Sequence, residues 1–216
     1  MGKAVGFFPA VGLLLGGLLL GLDEMLRLLW SPGISAALVL LVWVLATGAL
    51  HLDGFLDSCD GLLGGRNPEE RLRIMKDERV GAFAVVGGVL LLLLKYLALS
   101  SPQDRPGAYL LAPTLGRWGM VLAIEFSPYA RPDGLGRSMK DNAGWWQVAF
   151  ATLVVGTVCW LAGQERGLLA MALAGGATWL AVWFTLSRLP GLTGDIYGAI
   201  CEMLEVLVLL LFCVCV

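Results

Sequence analysis

Three aspartates in the first third of the chain have the spacing of a metal-binding stripe on a helix. Asp53, Asp57 and Asp60 follow one another at positions i, i+4 and i+7, so a helix places their carboxylates within one narrow stripe. At a bilayer centre each aspartate would cost roughly 2.5 to 3.5 kcal/mol, so the stripe should lie near a boundary and be neutralised. A hard divalent cation, with Mg²⁺ favoured, is the simplest counter-charge. The alternative is an ordinary polar helix end paired with Arg66 and Arg71.

A second acidic helix start lies near the carboxyl end of the sequence. Its glycine-rich run ends at Asp195, and Glu202 follows seven residues later, so the two carboxylates share a helical face. Glu205 lies nearly a quarter turn away and is a weaker candidate ligand. We expect the two acidic helices to flank one metal ion or two. A pair of ions about 3.5 to 4 Å apart would clamp the attacking and leaving oxygens of a phosphoryl transfer.

Glycine-rich and basic segments supply groups that could bind phosphate. Glycine-rich turns at 61–65, 131–137 and 191–194 let backbone N–H groups approach an anion, although each turn alone is weak support. Arg117 lies within an apolar segment, so we expect it to meet a carboxylate or a substrate phosphate inside the bundle. Lys95 lies near the end of another apolar segment and is expected to snorkel to the boundary.

The single histidine, His51, is a candidate general base because imidazole titrates near neutral pH and Asp53 is two residues away. A hydrogen-bonded structural role is the favoured alternative, and a metal-adjacent aspartate could take the proton instead. The chain contains no serine-triad motif, dinucleotide fingerprint or Walker loop, so covalent nucleophilic catalysis is not expected. The five cysteines are scattered and are expected to be apolar packing residues.

The elements that must position these residues are apolar helices. Of the 216 residues, 58% are hydrophobic and only 15% are charged, and the mean hydropathy is +0.79, which excludes an ordinary soluble domain. We predict an all-α polytopic transmembrane helix bundle with about six to seven spans, forming a single integral membrane domain over residues 1–216. The predicted spans are 4–22, 34–50, 81–99, 108–126, 145–162, 167–187 and 196–215.

The distribution of lysine and arginine between the spans predicts the orientation, because positive charge accumulates in loops that stay in the cytoplasm. One side receives Lys3, Arg66, Arg71, Arg73, Lys76, Arg79, Arg131, Arg137, Lys140 and Arg188. The other side receives Arg27, Arg105 and Arg166. We therefore predict that the amino terminus lies inside, the carboxyl terminus lies outside and the acidic residues lie at the cytoplasmic boundary. The first apolar run is longer than that of a usual signal peptide and is expected to be retained.

A short interfacial helix is predicted near residues 68–79. Asn67 is a suitable N-cap, Pro68 suits the first helical position, and Glu70 could close a capping box. Its apolar residues, including Met75, are expected to dip toward lipid headgroups while the basic ones face water or anions. The alternative is a solvated basic helix that only fixes the topology.

Five sequence blocks occur in order through most of the chain: LHLDGFLDSCDGLLGG, RIMKDERVGAFAV, Leu115-Gly116-Arg117, ARPDGLG at 130–136 and GLTGD at 191–195. With these blocks the chain resembles the cobalamin synthase family, the adenosylcobinamide-GDP ribazoletransferases. The first two blocks are specific as a pair, whereas the glycine blocks alone would mean little. The resemblance implies a Mg²⁺-dependent enzyme of the prokaryotic cytoplasmic (inner) membrane. Such an enzyme joins adenosylcobinamide-GDP to α-ribazole or its 5′-phosphate and releases GMP.

The resemblance also implies roles for particular residues. A ribose hydroxyl would attack the phosphate bonded to cobinamide, in line with departing GMP, while metal and basic groups neutralise the developing charge. The predicted metal ligands are Asp53, Asp57, Asp60, Asp195 and Glu202. The predicted substrate or phosphate contacts are Arg66, Lys76, Arg79, Arg117 and Arg131. The candidate catalytic groups are Asp57, Asp60, Asp77 and His51, with Asp77 as a further ligand or proton acceptor.

Two other functions stay open at this point. CDP-alcohol phosphotransferases begin with a similar aspartate motif, but here Gly64 and Gly65 replace its Ala-Arg pair, and its later glycine and aspartates are also absent. A cation or proton transporter would also need intramembrane acids, but near the midplane and often between repeated halves. Nucleic-acid binding is not expected, because no basic patch with interleaved aromatics occurs. A homo-oligomer is compatible with the sequence.

Overall fold

The computed structural model describes residues 2–214, which form helices and no β-strand. A 3-10 turn at Gly2–Phe7 leads into nine α-helices within that range. The side chain of Lys3 and the whole of Cys215 lie outside the described residues. The helices are α1 (Phe8–Leu26), α2 (Pro32–Ala46), α3 (Leu50–Gly64), α4 (Pro68–Ile74), α5 (Ala82–Ser100), α6 (Arg105–Phe126), α7 (Leu135–Asn142), α8 (Trp145–Leu186) and α9 (Gly194–Leu211).

Several of these helices are suited to a membrane. Three segments are long and apolar enough to cross one: Ala4–Leu26, Ala82–Ser100 and Trp145–Leu186. The bent pair α2 and α3 would add a fourth crossing if it forms one span. Within α8 the chain turns sharply at Gln164 (φ 49°, ψ −131°), and its two halves, 145–163 and 165–186, coincide with two predicted spans. The protein is therefore an all-α membrane helix bundle, as predicted.

Helix α6 forms the centre of the bundle. Between Gly107 and Ile124 every residue except Leu110 is buried. Helix α1 packs directly on it, because a Cβ added at Gly12 would lie 2.3 Å from the Pro113 carbonyl oxygen. Small residues in membrane helices commonly permit such close backbone contact.

A buried aspartate ties three helices together at one end of the bundle. Asp23 is fully buried and accepts hydrogen bonds from Arg27 (2.7 Å), Arg105 (2.9 Å) and Ser35 (2.7 Å). The structure thus brings Arg27 and Arg105 to the same end, in agreement with their predicted common side. Here they neutralise a structural carboxylate.

The chain bends by 88° between α2 and α3. Gly48 (φ 59°) and Ala49 (φ 55°) both adopt the left-handed conformation, which is costly for alanine. The predicted span at 34–50 is therefore interrupted before its end. The bend lays α3 across the start of α9, and a Cβ added at Gly54 would lie 2.8 Å from the Asp195 carbonyl oxygen.

The predicted interfacial helix is present but shorter than expected. It ends at Ile74 instead of extending to residue 79. Asn67 accepts the N-cap hydrogen bond from the Glu70 amide at 2.9 Å, whereas the Glu70 carboxylate accepts from the Arg66 amide, also at 2.9 Å. The expectation that Met75 contacts lipid headgroups is wrong, because it is 2% exposed and packs against α3.

Candidate active site

The aspartate stripe of α3 opens into a groove of about 270 Å³. The opposite wall is the loop that joins α4 to α5. The structure brings together four of the predicted carboxylates and two of the predicted cations in this acidic groove. Its lining residues are Asp53, Leu56, Asp57, Asp60, Met75, Lys76, Asp77, Glu78, Arg79, Val80 and Ala84.

Asp60 has a structural function that the sequence pattern did not indicate. Its carboxylate accepts hydrogen bonds from the backbone amides of Gly81 (2.6 Å) and Ala84 (2.9 Å), and so caps the start of α5. A Cβ at Gly81 would lie 2.7 Å from Asp60 Oδ1, so only glycine fits this position without a shift. Because each carboxylate oxygen has two acceptor sites, Asp60 can hold α5 and still bind a ligand in the groove.

Asp77 lies on the exposed loop that forms the opposite wall. Its Oδ1 accepts a hydrogen bond from the Arg79 backbone amide at 3.1 Å. This local bond turns the loop, and both Asp77 and Arg79 line the groove. The carboxylate keeps free acceptor capacity for a proton or a ligand.

Asp195 lies in the first turn of α9, next to the aspartate stripe. Its Oδ2 accepts hydrogen bonds from Arg131 Nη2 (2.8 Å) and from Thr193 Oγ1 (3.2 Å). Thr193 also caps α9 by accepting a hydrogen bond from the Ile196 amide at 3.3 Å. Since the α9 backbone touches Gly54 at this point, acids from distant parts of the sequence meet at one end of the bundle.

Two glycine-containing turns pack together to place Arg131 and Asp195. The Ala130 amide donates to the Leu192 carbonyl, and the Leu192 amide donates to the Pro128 carbonyl, both at 2.8 Å. Gly191 permits this approach, because a Cβ there would lie 2.7 Å from the Ala130 nitrogen. The turns that carry Arg131 and Asp195 therefore lie together at one end of the bundle.

Tyr129 is a further side chain near Asp195 that sequence reasoning missed. Its ring stacks on that of Tyr197, with 6.1 Å between the ring centroids. Burial raises the pKa of the Tyr129 hydroxyl, so this hydroxyl stays protonated at neutral pH. An aromatic residue directly before the Ala130-Arg131-Pro132 block was the available signal.

A separate ion cluster occupies the interior of the bundle. Lys95 Nζ donates to Glu202 Oε2 and Glu205 Oε2, each at 2.5 Å, and Arg117 Nη1 donates to Glu205 Oε1 at 2.9 Å. The Lys95 ammonium also lies 4.7 Å from the centroid of the Trp43 ring. We call Lys95, Arg117, Glu202 and Glu205 the interior ion cluster.

This cluster corrects two predictions and supports a third. Lys95 does not snorkel, because it is 2% exposed and bound to two carboxylates. Glu202 does not share the site of Asp195, since it lies two helical turns away, roughly 10 Å along α9, and is held by Lys95. Arg117 meets a carboxylate in the interior, as expected, but it does not line the acidic groove.

His51 and Arg66 also lie apart from the acidic groove. His51 faces another cavity, of about 360 Å³, which it shares with Arg117, because it is two residues and roughly 200° around the helix from Asp53. Its Nδ1 has no hydrogen-bond partner among the described residues. The Arg66 side chain is exposed in the turn after α3 and does not line the groove.

The geometry permits a metal ion but does not supply a complete set of ligands. Among the described residues, no group of three or more His, Cys, Asp or Glu side chains is arranged to hold an ion alone. Mg²⁺ commonly uses one or two carboxylates and completes its shell with water and substrate phosphates. The open groove, with an exposed Asp53 and a half-buried Asp57, fits that chemistry.

Comparison with known proteins identifies the family. The family model for cobalamin-5-phosphate synthase matches residues 1–213. The chain belongs to the cobalamin-5-phosphate synthase family. The resemblance inferred from the sequence blocks is thereby confirmed. The blocks that carry it supply α3, the loop before α5, the middle of α6 and the two turns at Arg131 and Asp195.

Curated relatives in this family are similar over nearly the whole chain. An adenosylcobinamide-GDP ribazoletransferase of Stutzerimonas stutzeri is 44% identical over 96% of this chain and 85% of its own length. That of Desulforamulus reducens is 40% identical over 98% of this chain and 86% of its own length. The enzyme of Pseudomonas putida W619 is 44% identical over 97% of this chain and 87% of its own length. No solved structure matches the chain.

Proposed function

We propose that this chain is an adenosylcobinamide-GDP ribazoletransferase that joins adenosylcobinamide-GDP to α-ribazole or its 5′-phosphate and releases GMP. The observation that carries this proposal is the match to the cobalamin-5-phosphate synthase family over residues 1–213. Relatives with this name are 36% to 44% identical to the chain. This family assignment is favoured over a CDP-alcohol phosphotransferase or an ion transporter.

The acidic groove is the proposed place of reaction, with Mg²⁺ as the metal ion. Asp53, Asp57 and Asp60 of α3, together with Asp195 of α9, would hold the ion. Bound there, Mg²⁺ would neutralise charge on the substrate phosphates. Glu202 is left out of this ligand set, because Lys95 already binds its carboxylate.

Basic residues around the groove would bind the phosphates of the donor. Lys76 and Arg79 line the groove itself. Arg131 forms an ion pair with Asp195, beside the groove. Because these three cations lie at different points around the groove, they can orient a pyrophosphate and keep it close to the carboxylates that would hold the metal ion. Positioning and charge neutralisation account for most catalysis of phosphoryl transfer.

The proposed reaction is an in-line displacement. A ribose hydroxyl oxygen forms a bond to the phosphorus attached to cobinamide. The bond from that phosphorus to the bridging oxygen breaks, and GMP departs with the bridging oxygen. The Asp77 carboxylate is the proposed acceptor of the hydroxyl proton, because it lines the groove and keeps free acceptor sites.

The orientation in the membrane is part of the proposal. Seven crossings with the amino terminus inside would place the groove at the cytoplasmic face of a prokaryotic inner membrane. The support is the charge distribution, since most lysines and arginines fall on the side of the groove.

Purified protein in lipid nanodiscs tests the function and the metal separately. We expect GMP release from adenosylcobinamide-GDP when α-ribazole is added, and no CMP release from a CDP-alcohol donor. A chelator should abolish turnover, and added Mg²⁺ should restore it. Absence of GMP release with Mg²⁺ present would contradict the function, whereas release in excess chelator would contradict only the metal.

A further inference from the structure

A second groove, of about 470 Å³, lies on the opposite face of α3 from the acidic groove. Helical geometry sets the two apart, since residues 55, 58, 59 and 62 lie roughly 180° around α3 from the aspartate stripe. The second half of α8 and the first half of α9 form its other walls. We call it the apolar groove, and its walls include Phe55, Cys59, Leu62, Leu180, Phe184 and Met203.

Two arginines lie at the end of the apolar groove where α8 finishes. The guanidinium of Arg188 lies 3.7 Å from the centroid of the Phe184 ring, which lines the groove. Arg71 Nη1 donates to the Arg188 carbonyl oxygen at 3.3 Å. Neither guanidinium has a carboxylate within salt-bridge distance among residues 2–214. The Nε of Arg71 is buried without a hydrogen-bond partner in that range.

We propose that this groove binds one anionic phospholipid, with its phosphate on Arg71 and Arg188 and an acyl chain against the apolar walls. On α8 the walls extend from Thr185 to Ala177, roughly 12 Å of helix. That length is most of the depth of one leaflet, about 15 Å of hydrocarbon. Basic pockets between membrane helices attract anionic headgroups.

Other occupants fit the groove less well. An apolar helix from a second copy of the chain would cover the walls but leave both arginines without a counter-charge. A zwitterionic lipid would bring a phosphate but also a headgroup cation, which would lie beside two guanidinium groups that already repel it. An anionic lipid satisfies both features with one molecule. The site is independent of the reaction proposed for the acidic groove, because the two grooves share no lining residue.

Native mass spectrometry of protein released from nanodiscs would test whether Arg71 and Arg188, at the end of the apolar groove, bind a lipid phosphate. The nanodiscs contain equal amounts of phosphatidylglycerol and phosphatidylcholine with identical acyl chains. We expect wild-type protein to retain one phosphatidylglycerol in preference. Arg71→Gln and Arg188→Gln should each weaken that retention about fivefold, the factor for one basic residue at an anionic headgroup. The matched control is Arg73→Gln, an exposed arginine of the same helix, which should change nothing.

A second pair of variants tests the apolar walls without altering charge. Ala181→Phe fills the groove and should lower phosphatidylglycerol retention. Leu153→Phe, at a position 72% exposed on the other half of α8, should not. Equal retention of the two lipids by the wild type, or unchanged retention in Ala181→Phe, would overturn the proposal even if the arginine variants fail to fold. A dimer that Ala181→Phe dissociates would also overturn it.

Discussion

The acidic groove and the interior ion cluster are built from the same residue types but differ in charge balance and in access to water. The groove is lined by five carboxylates and two cations, and it opens at one end of the bundle. The cluster pairs two glutamates with Lys95 and Arg117, all of them buried. A surplus of negative charge facing water leaves capacity for a metal ion, whereas a balanced and buried cluster has none. This difference separates the proposed place of reaction from a structural ion cluster.

Removal of one groove carboxylate should have the largest effect, and it should fall on activity. Asp57→Asn keeps the side-chain shape but removes a proposed metal ligand. We expect a loss of about 5 kcal/mol in transition-state stabilisation, more than a thousandfold in rate. The measurement is GMP release by the purified variant, together with its thermal midpoint in detergent, which should change little.

The control for this variant is Glu69→Gln, which makes the same kind of change on the exposed face of α4. It should keep wild-type turnover. Wild-type turnover in Asp57→Asn would remove the metal site from the acidic groove.

Disruption of the interior ion cluster should instead fall on stability. Lys95→Met leaves Glu202 and Glu205 with only the Arg117 charge to balance them. A buried carboxylate that loses its partner costs about 3 to 5 kcal/mol. We expect a large fall in the thermal midpoint and in the yield of monodisperse protein from detergent.

The double variant Lys95→Met with Glu202→Gln distinguishes charge balance from simple packing. It leaves Arg117 paired with Glu205, so it should be clearly more stable than Lys95→Met alone. If the double variant were as unstable as the single one, the cluster would not act through its balance of charge.

Local spacing was sufficient to predict the core of the acidic groove. The i, i+4, i+7 pattern placed Asp53, Asp57 and Asp60 on one stripe, and the glycine-rich turn before Asp195 marked the start of a helix on the same side. These features depend on helical periodicity and on the charge of the loops, and both can be determined from the sequence alone. The apolar composition likewise predicted an all-α membrane bundle.

The remaining features depend on contacts between residues distant in sequence. Lys95 and Glu202 are 107 residues apart, and only the packing of α5 on α9 brings them together. The sequence did contain one signal of this contact. A lysine in one apolar helix and two glutamates in another can balance each other's charge inside a bundle. The capping of α5 by Asp60 likewise depends on how two helices pack, because Asp60 is on α3 and the amides that it binds belong to the start of α5.

Gly81 provides a smaller and more local test of how the groove is held. In Gly81→Ala the new Cβ would lie 2.7 Å from Asp60 Oδ1, which forces the carboxylate or the start of α5 to move. We expect a loss of about 1 to 3 kcal/mol in stability and a parallel fall in turnover. Gly17→Ala is the control, because nothing lies within 4 Å of a Cβ there. Full activity in Gly81→Ala would show that the contact between Asp60 and α5 does not determine the geometry of the acidic groove.

The smallest expected effect concerns the bend before α3, which lays the aspartate stripe beside the start of α9. Ala49 adopts a left-handed conformation (φ 55°), which costs an L-residue roughly 1 to 2 kcal/mol. Ala49→Gly removes that strain but makes the unfolded chain more flexible, at a cost of about 0.5 to 1 kcal/mol. The net expectation is a gain of about 0 to 1.5 kcal/mol, seen as a small rise in thermal midpoint with unchanged GMP release. A fall in the midpoint would mean that the Ala49 methyl group stabilises the bend, and that the strain at this residue is smaller than its backbone angles indicate.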